Sequence, residues 1–219
     1  MPNKKRIPTG LEPLDSFCGG YSRGGLCVVR VLDKDPDALQ DYYMSQVKDL
    51  AIDRELTVYV ASLGIPAREF VKCIAEGEGA ARLQKLAEAE VHLSEYDKGE
   101  TITSFAEDLL RRIDELEPDV TFIEGLEKYA PCNGMDGFGA VQEILDTARK
   151  TRSAIVLIDF DDNLPVPFPR EEDVMEIELK TTLDEVVQAN IYAGSRMTTT
   201  TDLYGRWRIF EKILKKDSR

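Results

Sequence analysis

The chain is short of the residues that most site chemistries need. It has one histidine, four cysteines, and no glycine between Gly25 and Gly64. Cys18, Cys27, Cys73 and Cys132 are widely spaced without a C-x-x-C pair, and only His92 could join them, which argues against a zinc site. His92 alternates with Val91 and Leu93 in a strand-like stretch, as expected of a surface or partly buried strand histidine and not of a catalytic one. Cys27 and Cys73 read as buried free thiols. No apolar run approaches the roughly 20 residues that a membrane helix requires. The basic start Pro2-Asn3-Lys4-Lys5-Arg6 leads into a segment broken by prolines and glycines, unlike a secretory signal, so the expected location is the cytoplasm.

Positive charge is also scarce. Lys and Arg number 28 against 41 Asp and Glu, a net charge of −13. So acidic a body repels phosphates, so nucleic acid is not an expected partner. The exceptions are the two ends, with Lys4, Lys5 and Arg6 at the start and Lys212, Lys215, Lys216 and Arg219 at the finish. These are either solvated tails or groups that meet an acidic face of a neighbouring subunit.

What the chain does have is a regular alternation of strand and helix signals. At 219 residues it suits one α/β domain. Strand-like runs at 26–32, 57–62, 90–94, 120–123 and 154–159 alternate with helical spacing over about 36–53, from Pro66 onward, and over about 103–116 and 138–150. That pattern predicts a mainly parallel sheet with helices on both faces. Beyond 170 the character changes. Val174 to Leu179 alternates, Val186 to Tyr192 does so in part, and Arg206 to Leu214 is strand-like. Thr198-Thr199-Thr200-Thr201 reads as a polar hairpin connection.

The segment 7–25, Ile-Pro-Thr-Gly-Leu-Glu-Pro-Leu-Asp-Ser-Phe-Cys-Gly-Gly-Tyr-Ser-Arg-Gly-Gly, resembles the lead-in to the ATP site of the KaiC-like branch of the RecA superfamily. The resemblance implies a RecA-like three-layer α/β sandwich made of a lead-in (1–25), an α/β core (26–160) and an antiparallel C-terminal extension (170–219). Gly205-Arg206 and Ile213-Leu214-Lys215-Lys216 fit that extension loosely. In such proteins the first strand runs into a Gly-rich loop ending in Lys-Ser/Thr, whose amides and lysine hold the phosphates. Here the run Leu26 to Leu32 is followed instead by Asp33-Lys34-Asp35-Pro36-Asp37.

Side chains in place of glycines crowd an anion, and three aspartates repel it. Two unit charges 4 Å apart at an effective dielectric near 20 interact by about 4 kcal/mol. The same residues have a structural role: Asp35-Pro36-Asp37 supplies an N-cap, a proline at the first helical position and an acidic first turn. Two more positions depart from the family pattern. Where a Glu-Glu pair is expected after the second strand stands Leu63-Gly64, and where Asp-Ser is expected stands Glu124-Gly125. Hydrolysis needs the cradle, the metal and a positioned water together. The sequence reading is therefore a noncatalytic pseudo-ATPase, without ATP or magnesium, that binds a protein partner or assembles with itself or an active relative.

The alternative is a divergent nucleotide-binding ATPase, with Glu124, or Asp159 and Asp161, carrying a metal, or a DNA-recombination accessory protein using the basic ends. The cluster Asp159 to Asn163 reads either as a cation site at a strand end or as a loop of solvated acids. The run Pro165-Val166-Pro167-Phe168-Pro169 reads as an extended segment or a docking surface presenting Phe168.

Overall fold

The computed structural model describes residues 6–31, 36–62, 65–95, 102–125, 137–159, 173–181 and 187–200. Their order is β1 (Arg6–Ile7), α1 (Glu12–Cys18), β2 (Tyr21–Ser22), β3 (Leu26–Val31), α2 (Pro36–Lys48), β4 (Val58–Ser62), α3 (Ala67–Ala75), α4 (Ala80–Glu88), β5 (Val91–Glu95), α5 (Ile102–Leu116), β6 (Val120–Glu124), α6 (Gly137–Thr151), β7 (Ala154–Asp159), β8 (Val174–Thr181), β9 (Val187–Ala193) and β10 (Arg196–Thr200). A π-helical turn, Asp49–Asp53, continues α2.

The main sheet has the order β10-β9-β8-β3-β7-β6-β4-β5. From β8 to β5 every neighbouring pair is parallel. β9 and β10 complete the sheet as an antiparallel hairpin. Strands β4, β6 and β7 are buried along their whole length, as strands covered on both faces must be. One face packs α1, α2 and α3 around Val29, Tyr43, Phe70 and Phe122. The other packs α5 and α6 around Val28, Leu109, Ile144 and Leu157. This is a RecA-like α/β sandwich.

The antiparallel extension is formed by β8, β9 and β10, and its first strand, β8, joins the core by pairing parallel with β3 on the side away from β7. A parallel return needs a dozen or more residues, and the 14 between Asp159 and Val174 supply them. Thr198, Thr199 and Thr200 are not a hairpin connection but lie in β10 opposite Ile191, Asn190 and Ala189. Threonine is β-branched and suits a strand. The turn is made instead by Gly194-Ser195, with Gly194 at φ 58°. Helix α4 was not anticipated, and Cys73 is half-buried where Cys27 is fully so.

The lead-in folds over α2. Asp15 accepts from Thr9 N (2.7 Å), Thr9 Oγ1 (2.9 Å) and Gly10 N (2.9 Å), which fixes the entry to α1. Tyr21 donates to Gln46 Oε1 at 3.0 Å, so the 2.6 Å contact between its hydroxyl and that of Tyr42 is a bond that Tyr42 donates. Gln46 Nε2 in turn donates to Thr9 O at 3.4 Å. All these side chains but Asp15 are buried, so the lead-in is tied to α2 by satisfied polar groups within an apolar layer.

The π-helical turn carries an acid under tension with its surroundings. Burial and then the charge of Asp53 push Asp49 up to about 6, although Arg82 and Lys48 pull the other way. An acid raised in the folded state binds more protons there than in the unfolded chain. Stability from this group is therefore greatest below about pH 4 and falls as pH rises to about 6. Asp49→Asn is expected to gain about 1–2 kcal/mol at pH 7, after discounting for its solvent-facing side, and to gain little near pH 4. Urea unfolding at the two pH values measures the difference.

Candidate functional site

Parallel strands bring their carboxyl ends to one edge of the sheet, where open α/β sheets place ligands. Register β4·β6 sets Ser62 opposite Glu124. Both share the α2 face with Val58, Val60, Val120 and Phe122 of the same strands. Ser62 donates to Glu124 Oε2, and its Oγ accepts from Ile65 N at 2.8 Å. Glu124 is buried, with 5% of its surface exposed, so its carboxylate is engaged inside the protein and not presented to solvent.

Tyr43 lies against this pair. Its ring is packed between Phe70 (5.3 Å) and Phe122 (5.6 Å), and its buried hydroxyl has no hydrogen-bond partner among the described residues. Burial, with the nearby charge of Glu124, holds the phenol well above its ordinary range, so it stays protonated.

The opposite face of the same edge carries a second polar group. Arg30 interrupts the apolar run of β3 and is almost wholly buried. The register sets it between Asp159 of β7 and Glu178 of β8. Its Nη2 stands 2.9 Å from Glu176 Oε1, off the hydrogen-bond axis, so the contact is ionic and not an aligned bond. Glu178 accepts from Asn190 Nδ2 (3.3 Å) and Tyr192 OH (3.0 Å). Asp159 is fully buried.

The expected site residues divide accordingly. Pro36 and Asp37 form the first turn of α2. Glu124 and Asp159 end neighbouring-but-one elements of the chain on adjacent strands yet occupy opposite faces, since Glu124 is in register with Ile158 and not with Asp159. The structure therefore does not bring them together around one ion. Among the described residues, no group of three His, Cys, Asp or Glu side chains is close enough to hold a metal. Asp33, Lys34, Asp35, Leu63, Gly64, Asp161, Phe168, Lys212, Lys215 and Lys216 lie outside the described residues. Arg30, Tyr43 and Ser62 were not anticipated as site residues. A lone arginine inside an apolar strand was the one signal available for Arg30, whereas the Ser62–Glu124 bond depends on a register that only the fold sets.

A parallel sheet covered on both faces, with an antiparallel hairpin at one edge, is an architecture found in KaiC-like, RecA-type folds. No protein-family model matches the sequence, and no curated protein matches it either. Among solved structures, the chain is similar to the KaiC-like protein PH0186 of the hyperthermophilic archaeon Pyrococcus horikoshii OT3. The match has a TM-score of 0.61 at 10% identity and covers 90% of this chain and 92% of that one. At that identity the likeness concerns the fold. It is shared with hundreds of solved chains, 442 in all, so it does not select an activity. Among the described residues, no helix is long and apolar enough to cross a membrane.

Proposed function

We propose that this chain is a noncatalytic KaiC-like pseudo-ATPase of the cytoplasm, working through a protein partner or through assembly with itself or an active relative. The observation that carries the reading is the join between β3 and α2. Only four residues, 32–35, separate Val31 from Pro36, and the helix opens on a proline. A phosphate cradle uses six residues between and including its two glycines, followed by the amides of Lys-Ser/Thr at the start of the helix. Proline has no N–H to offer at that point, and the next residue in the sequence, Asp37, is acidic and so disfavours an anion at this helix start. The burial of Glu124 and its bond from Ser62 support the same reading, since both reduce the share of its carboxylate open to a magnesium ion.

The test is thermal unfolding with and without millimolar magnesium-ATP or magnesium-ADP. A ligand at a hundredfold excess over its Kd adds about 2.7 kcal/mol, or roughly 5–10 °C for a chain of this size. The expected result is no shift. A reproducible shift would replace the proposal with a divergent nucleotide binder. Sedimentation of the purified chain, and of the chain in extract, addresses the second half. A species that stays monomeric and unaccompanied in both would overturn the interaction role, whereas salt-sensitive binding to single-stranded DNA would favour a recombination accessory.

A further inference from the structure

Helix α4 is built of strong helix formers but is poorly supported at its N-terminus. Its N-cap is Gly79, which makes no side-chain cap, and its first turn has no acid. Arg82, three residues on, adds positive charge where the helix dipole is already positive. Nine residues are too few to stay helical in isolation. Apolar burial adds little: no residue of α4 is fully buried, Leu83 is exposed, and Leu86 is only partly buried against the core.

Charge holds it in place. Arg82 Nη2 lies 3.0 Å from Asp53 Oδ2 and 3.3 Å from Asp49 Oδ1, both on the π-helical turn. Its Nε lies 3.0 Å from Glu78 Oε2 as an ionic contact without an aligned hydrogen bond, and Lys48 Nζ donates to Glu78 Oε1 at 2.9 Å. Lys48 and Glu78 are largely shielded from water, so their attraction is less screened than that of a surface pair. One guanidinium thus serves three carboxylates, and the same contacts cancel the charge that disfavours the helix.

From this geometry we infer that α4 is a charge-latched segment whose helix forms and docks in one step, with Arg82 as the latch and the Asp49–Asp53 turn as its seat. Release leaves the central strands intact, because α4 gives the core so little. It bares Leu86 and the surface beneath it. The arrangement is a local conformational switch independent of nucleotide and of the proposed function.

Amide hydrogen exchange on the full chain tests it. Arg82→Gln should speed exchange across α4 at least tenfold while β6 and β7 keep their rates. Gly79 has extended backbone, φ −73°, and nothing within 4 Å of an added Cβ, so serine fits there as a cap. Adding Gly79→Ser to the Arg82→Gln variant should slow exchange across α4 again, by about threefold. Unchanged α4 rates in Arg82→Gln would overturn the latch, as would a rise shared equally by β6 and β7. A serine cap that restores nothing would also overturn it, since helix formation and docking would then be separate events.

Discussion

Alanine at position 20 is expected to disrupt the two-stranded sheet of β1 and β2 and lower stability by about 3 kcal/mol or more, on the scale of combined backbone strain and overpacking. Gly20 has φ +93°, a conformation that L side chains rarely adopt. An added Cβ would also stand 2.0 Å from Ile7 O and 2.9 Å from Pro8 Cα, both of them backbone atoms that cannot rotate away. Relief requires β1 and β2 to separate, and that pulls on Tyr21, whose hydroxyl is bonded into the buried Tyr42–Gln46 group. Urea unfolding followed by far-UV circular dichroism measures the loss. A loss under 1 kcal/mol would mean that the β1–β2 pair gives way without cost to the rest.

That expectation gives the lead-in residues a structural role of their own. Gly20, Asp15 and Thr9 serve the folding of the lead-in onto α2, so they have work to do whether or not a nucleotide is present. Much of the fold was legible for a related reason. β3, β6 and β7 are apolar runs of strand length separated by helical spacing, and the sheet needed nothing more to be foreseen. The misses have physical causes. Helix α4 is short, has no side-chain N-cap and is held by charges from a distant turn, so its start is not announced locally. The threonines of β10 are as polar as a loop, and their strand character is settled by pairing with β9. At the candidate site, the sequence located Glu124 and Asp159 at strand ends but could not assign them to opposite faces, because that depends on register.

Replacing Arg30 by methionine is the other change expected to have a large effect, a loss of about 3–5 kcal/mol, the range for breaking a buried ion pair by removing one partner. Methionine fills similar space and keeps the apolar contacts of the stem, so the loss reports charge and not a cavity. Without the guanidinium, Glu176 loses its ionic partner. Asp159, fully buried and in register with position 30, loses the neighbouring cation as well. The second change Glu176→Gln, made in the Arg30→Met background, should recover part of the loss, because it removes a charge whose contact with Arg30 is gone. Denaturant unfolding of the single and double variants decides the matter. If Arg30→Met costs under 1 kcal/mol, or Glu176→Gln restores nothing, the group at this edge is not held by charge balance. If both results are as expected, Arg30 binds together β3, β7 and β8 at the carboxyl edge, and the polar residues there serve to close the fold around an engaged carboxylate cluster.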